Sequence, residues 1–145
     1  MRVVVQRVST ASVSVGGKVV GEIGKGFFIL LGVGQGDTEK KAEELANKLL
    51  KMRLMAGSAG KMDLSVKDVG AEVLVVSQFT LYADTSKGNR PSFLKAASPE
   101  EARKLYDHFV KELVKLGVGV RTGRFGEYMK INAELDGPVT IALEN

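Results

Sequence analysis

Glu72-Val73-Leu74-Val75-Val76-Ser77-Gln78-Phe79-Thr80-Leu81 is the stretch that organises the rest of the chain. Val73 to Val76 is an unbroken aliphatic run of strand length, so it reads as a short buried strand. It runs directly into a segment carrying two hydroxyls, Ser77 and Thr80. About sixty residues later, near the C-terminus, stands Asp136-Gly137-Pro138-Val139-Thr140. A hydroxyl-rich strand end and a Gly-Pro turn are each common, and the interest lies in the pair.

Upstream of the first segment, Val3 to Val8 reads as a strand rich in β-branched residues. Ala11 to Val15 and Lys18 to Ile23 read as the arms of a hairpin turning at Gly16-Gly17. Phe27 to Val33 reads as a fully buried strand. Asp37 or Thr38 caps a helix to about Met52, with Ala42, Leu45, Leu49 and Met52 on one face. Arg53 to Val69 is turn-rich. Downstream, Asp84 to Ala97 has no clear period and reads as a loop. Ser98-Pro99-Glu100-Glu101 is a helix start, with Ser98 as N-cap, Pro99 at N1 and Glu101 closing a capping box. Ala102, Leu105, Tyr106, Phe109 and Leu113 form its buried stripe, and Gly117 fits the position just past its end. Val118 to Arg121, Tyr128 to Ala133 and Val139 to Leu143 read as three short strands.

Strands dominate, and two amphipathic helices cannot cover both faces of a sheet. The expected fold is therefore α/β with sheet packed on sheet and helices on one side. The 145 residues carry no repeat or linker and read as one domain, 1–145. Hydrophobic residues make up 44%, enough for a core without staples.

The chain has no cysteine and one histidine, His108. That excludes disulfides, thiolate metal sites and any two-histidine site. With no Asp-rich loop, no metal and no cofactor is expected. The longest apolar run is too short to span a bilayer, and Arg7 interrupts the N-terminal segment where a signal peptide needs its apolar centre. A soluble cytoplasmic protein is expected. A net charge of +4 and a pI near 9.3 favour an anionic partner such as RNA, or simply a surface with extra lysines.

Three motif readings fail. Gly32-Val33-Gly34-Gln35-Gly36 puts Asp37 where a dinucleotide fingerprint needs its third glycine. Gly57-Ser58-Ala59-Gly60-Lys61 is too short for a P-loop and is followed by Met62. Ser77 lacks the glycines of a nucleophile elbow, since Val75 and Phe79 flank it. A Ser-His-Asp triad would have to use His108, which falls mid-helix at the edge of the buried stripe. Ser77 and Thr80 are thus without their usual base. Gly137-Pro138 reads as a turn before the last strand or as a cis peptide, whose glycine would let a ligand approach bare backbone.

The two segments in this order resemble the D-aminoacyl-tRNA deacylase family, whose signatures are S-Q-x-x-L and N-x-G-P-x-T. The resemblance extends over essentially the whole chain. It takes in Gln6-Arg7-Val8, Ala11-Ser12-Val13, Gly60-Lys61-Met62, Arg90-Pro91-Ser92-Phe93 and Thr122-Gly123-Arg124-Phe125. One departure is Leu135, where the family has asparagine.

The resemblance implies a three-layer β/β/α fold and a homodimer with the active site near the interface. It implies a hydrolase acting in chiral proofreading during translation quality control: the ester of D-aminoacyl-tRNA is cleaved at the aminoacylated 3′ end, and mischarged glycyl-tRNA passes too. Gly137 and Pro138, cis in the family, would exclude L-amino acids. Ser77, Gln78, Phe79 and Thr80 would form the catalytic wall, their backbone N–H groups serving as an oxyanion hole. Thr80 is the nucleophile by residue type; the other route is assistance from the 2′-hydroxyl of the terminal adenosine. Phe125 and Met129 match pocket positions and would otherwise be core. Arg7 would brace the Gly-Pro segment across the dimer and would otherwise be a surface arginine. Lys87, Arg90, Lys95, Arg121 and Arg124 are candidates for tRNA phosphates. Two other readings stay open: a non-catalytic tRNA-binding dimer, and an esterase using Thr80 as nucleophile.

Overall fold

A computed structural model describes residues 1–145. The chain begins with a strand of fourteen residues, β1 (Arg2–Val15), which turns back at Gly16-Gly17 into β2 (Lys18–Ile23). β3 (Gly26–Gly32) follows, then helix α1 (Glu39–Lys51) and a small hairpin of β4 (Met55–Ala56) and β5 (Met62–Leu64). Next come β6 (Glu72–Ser77) and a 3-10 turn at Phe79–Tyr82. Helix α2 (Pro99–Lys115), β7 (Gly119–Thr122) and the fifteen-residue β8 (Lys130–Glu144) complete the chain.

β1 is the spine. β3 pairs antiparallel with its first half and β2 with its second, while β8 runs antiparallel along it from Arg2 to Ser14. β6 then adds parallel to β3, and β7 parallel to β6. Parallel neighbours need a crossover, and α1 and α2 supply the two.

The side chains of β3 and β6 sort into two cores. Phe27, Ile29, Leu31, Val73 and Val75 join a large cluster with α1 and α2. Phe28, Leu74 and Val76, on the opposite faces, join Val8, Ala11, Val13 and Ile23 in a second cluster. One core thus lies between sheet and helices and the other inside the folded sheet, as expected for β/β/α layering. It also explains why these two strands read as unbroken apolar runs.

Two strand expectations are corrected. Val3–Val8 and Ala11–Val15 are one strand, not two. Val3 and Val5 face the helices whereas Val8, Ala11 and Val13 face the second core, so the alternation changes phase between Val8 and Ala11. The pairing with β8 shifts register there. Likewise the strands expected at Tyr128–Ala133 and Val139–Leu143 are one: β8 starts at Lys130, after Tyr128 and Met129, and runs through both. Val8 pairs with Leu135 and Gln6 with Thr140, so Asp136 to Val139 bulge out opposite Arg7 without ending β8.

The helix ends behave as read. Thr38, rather than Asp37, caps α1 by accepting from the Lys41 N–H at 3.3 Å. Ser98 accepts from the Glu101 N–H at 3.3 Å and donates to its carboxylate at 2.9 Å, closing the capping box. No helix is long and apolar enough to cross a membrane.

Candidate active site

The carboxyl ends of β3 and β6 meet the start of α2 at a cavity of about 550 Å³. Val76, Ser77, Gln78 and Phe79 form one wall, and the 125–129 loop forms the other. The lining is mostly apolar. Glu127 is the one carboxylate in it, and no lysine, arginine or histidine reaches it.

The Ser77–Thr80 segment is held at both ends. Gln78 N–H donates to the Leu31 carbonyl at 2.8 Å, extending the β3–β6 ladder by one bond. At the far end, Tyr82 donates to Asp37 Oδ2 at 3.3 Å while the Arg2 guanidinium lies 4.6 Å over its ring. A Cβ on Gly34 would meet that ring at 2.5 Å, so the glycine is what lets Tyr82 lie flat against the loop. Burial, then the charge of Asp37 beside it, pushes the Tyr82 phenol up to about 12. Burial alone would raise Asp37, but hydrogen bonds from the Met1 ammonium, the Gly34 N–H and Lys41 outweigh it and hold the carboxyl below its ordinary value.

The turn itself has a useful defect. The first N–H groups of any helical turn lack an acceptor within it, here those of Phe79 and Thr80. The Thr80 hydroxyl accepts from the Gln78 side-chain amide. Thr80 does not line the cavity, whereas Ser77, Gln78 and Phe79 do. Phe79 is 55% exposed and meets Phe93 edge-on at 5.1 Å.

Phe125 and Met129 combine both roles weighed for them. Each lines the cavity and each packs on a core, Phe125 on the helix-side cluster and Met129 on the inner one. Phe125 tilts against Tyr106 at 5.8 Å, and the Tyr106 hydroxyl donates to the Val75 carbonyl at 2.9 Å. A Cβ on Gly123 would sit 2.6 Å from Met129 Sδ, so bare backbone makes room for that side chain.

Gly137 and Pro138 are exposed and joined by a cis peptide, and Gly137 has φ 128°. They do not line the cavity of their own chain. Arg7, 8% exposed, reaches the bulge within the same chain. Its Nε donates to the Asp136 carbonyl at 3.2 Å and lies 3.1 Å from the Asp136 carboxylate, and Nη1 donates to the Leu54 carbonyl at 2.9 Å. Leu135, 46% exposed, stands just before the bulge.

His108 is remote from this site. It faces Glu43 of α1 at 3.1 Å, and with Glu112 these residues bring three ligand-type atoms within 4.8 Å of one another. The group bridges two helices and cannot serve Ser77 as a base. Sequence reasoning missed Phe93, Glu127, Tyr128 and Tyr82. Phe93 stands in the Arg90-Pro91-Ser92-Phe93 segment quoted for the resemblance but has no site role there; for the other three only the strand ends that converge here could have marked them.

The model of the family described as D-Tyr-tRNA(Tyr) deacylase matches residues 4–144. A D-aminoacyl-tRNA deacylase of Thermosipho melanesiensis is 53% identical over 146 residues, covering 100% of this chain and 97% of its own. One of Roseiflexus sp. is 57% identical over 145 residues, covering 100% and 94%. A solved structure named c-Myc DNA Unwinding Element Binding Protein superposes with a TM-score of 0.95 at 42% identity, covering 100% of this chain and 99% of that one. The chain therefore belongs to the D-Tyr-tRNA(Tyr) deacylase family, ester hydrolases that act on D-aminoacyl-tRNA.

Proposed function

We propose that the cavity beside Ser77-Gln78-Phe79 receives the aminoacylated 3′ end of tRNA and that the ester is cleaved there with help from the RNA itself. The observation that carries this is an uncapped backbone donor at the cavity together with the absence of a histidine or lysine from its lining. The Phe79 N–H, uncapped at the start of the turn and on a residue that lines the cavity, would serve an ester oxygen that gains charge as the carbonyl becomes tetrahedral. No imidazole or amine stands in the lining to activate a side-chain hydroxyl.

The chemistry then balances without a protein nucleophile. A water adds to the ester carbonyl carbon, guided by the neighbouring 2′-hydroxyl of the terminal adenosine. The bond to the 3′ oxygen breaks, and that oxygen takes the proton the water has lost. Free D-amino acid and tRNA leave. Thr80 is disfavoured as the nucleophile because its oxygen faces an amide group, and an amide is no base at neutral pH.

Chirality is assigned to Gly137 and Pro138. Their backbone carbonyls form a wall without side chains, which the side chain of an L-amino acid would strike. A glycyl ester has nothing to strike it and passes. Within one chain this wall and the cavity are apart, so a second copy must bring them together. β8 supports that reading: Ile131 lines the cavity, Leu135 is exposed, and the bulge follows on the same strand. Two-fold pairing of that surface makes every contact twice, setting each bulge at the partner's cavity. Arg7 then braces the bulge from within its own chain. A tRNA substrate implies a cytoplasmic location.

The test is release of amino acid from D-Tyr-tRNA and L-Tyr-tRNA, with the mass in solution measured alongside. Selective release by a dimer is expected. Equal release, or none, defeats the reading. The structural relative named as a DNA-binding protein supports the competing view of a non-catalytic nucleic-acid binder. Tight tRNA binding without turnover would favour that view.

A further inference from the structure

Helix α2 presents three faces with separate duties. Ala102, Leu105, Phe109 and Leu113 enter the core, and Lys104 and His108 reach across to Glu39 and Glu43 of α1. Arg103, Asp107 and Lys111 point the other way. There they border a groove of about 440 Å³ whose opposite bank is Thr122-Gly123-Arg124.

This groove adjoins the ester cavity. Phe125 and Glu127 line both, so one wall of side chains divides them. The Arg103 guanidinium lies 5.7 Å over the Phe125 ring, on the crest of that wall. Charge in the groove is incompletely balanced. Arg103 and Asp107 form a loose pair at 3.7 Å, while Lys111 and Arg124 have no ion-pair partner. Three cations face two carboxylates, Asp107 and Glu127.

We infer that this groove takes the backbone phosphates of the single-stranded nucleotides immediately 5′ of the terminal adenosine, with Arg103, Lys111 and Arg124 as the contacts. The inference rests on the ester-hydrolase reading. A polymer whose last nucleoside occupies the cavity must leave it by some path, and this groove combines excess positive charge with a wall shared with the cavity. Phosphate contacts fix register without reading bases, so such a track serves tRNAs of differing sequence alike. Arg103 and Lys111 are positioning residues: they hold the substrate's strand and touch no reacting atom.

The experiment compares two substrates that share the ester. D-Tyr-tRNA carries the upstream phosphates; 2′(3′)-O-D-tyrosyl-adenosine lacks them. The Arg103→Gln/Lys111→Gln protein should show a KM for D-Tyr-tRNA raised about tenfold, with kcat nearly unchanged. Its log–log dependence of kcat/KM on salt should be shallower by about 1.4, two single-strand contacts at about 0.7 each. Hydrolysis of D-tyrosyl-adenosine should be unaltered. Lys111→Gln alone, clear of the Phe125 wall, should give about half the change in slope. Lys48→Ala/Lys51→Ala, on the exposed face of α1, should change neither substrate. An unaltered KM and slope in the double variant overturns the inference. So does an equal loss on both substrates, which would mean that the change acts through the cavity wall. If the unaltered protein cleaves neither D-substrate, the hydrolase reading falls first and takes this one with it.

Discussion

The guanidinium of Arg7 grips Asp136 twice, at its carbonyl and at its carboxylate, one residue before Gly137. Arg7 is nearly buried, and its third contact is the Leu54 carbonyl. Arg7→Ala therefore strands two carbonyls and frees the bulge. A loss of about 2–3 kcal/mol is expected in denaturant unfolding. The ratio of D-Tyr-tRNA to L-Tyr-tRNA cleavage should fall as well. Arg7→Lys should not rescue it, because one ammonium cannot span the positions held by the planar fork. A selectivity ratio untouched in Arg7→Ala would detach the bulge from discrimination.

Substitution of Thr80 separates two mechanisms. If the substrate's 2′-hydroxyl assists, Thr80→Ala should keep its rate within about tenfold, since one hydrogen bond is lost and no nucleophile. A tRNA ending in 2′-deoxyadenosine should be cleaved far more slowly. Complete loss in Thr80→Ala, with the deoxy substrate unaffected, would restore the threonine nucleophile.

Glu127 is the other group to question, as the only carboxylate in the lining. Glu127→Gln removes a possible base while keeping the shape. Retention of kcat at neutral pH is expected. A fall of a hundredfold or so, the scale of general-base loss, would transfer the proton-accepting role to Glu127.

Gly26 opens β3 against β6, and an added Cβ there would collide with the Glu72 carbonyl oxygen and carbon. Backbone in the middle of a sheet cannot swing aside. Gly26→Ala should cost about 3 kcal/mol, the upper range for overpacking, read from thermal or urea unfolding.

Alkali should unfold the protein partly through Tyr82. Its folded pKa, raised to about 12, keeps the proton where the unfolded chain, titrating near 10, has lost it. Stability is thus intact below pH 10 and falls as pH rises toward 12. Burial raises Tyr106 as well, so the effect is shared. Tyr82→Phe should shallow the decline in urea midpoint between neutral pH and about pH 11. An unchanged slope would show that Tyr82 takes no part.

What sequence could give follows from how local each feature is. Ser98-Pro99-Glu100-Glu101 was readable because a capping box is complete within four residues. Phe27–Val33 and Val73–Val76 were readable as buried because both faces of each strand meet a core. Their parallel pairing was not, because register between distant strands leaves no local mark. The phase change at Val8-Ser9-Thr10 hid the continuity of β1. The Gly-Pro pair looked like a stop and proved a bulge inside β8. In the site, Ser77, Gln78, Phe79, Phe125 and Met129 were named through resemblance, while Glu127 and Tyr128 had nothing to announce them. That Gly137-Pro138 lies away from its own chain's cavity is a matter of three-dimensional placement alone.

The pairing of Arg2 with Glu144 also sets a timetable. On a ribosome adding about 5–20 residues per second, the last residue of β1 is made roughly 6–23 s before the first residue of β8 exists. For that interval the outer edge of β1, from Arg2 to Ser14, has no strand to bind. An unpaired apolar edge invites the wrong partner. Ribosome-bound chains stopped before Lys130 should therefore bind a hydrophobic dye or a holding chaperone, and full-length released chains should not. The last strand made is the one that closes the first.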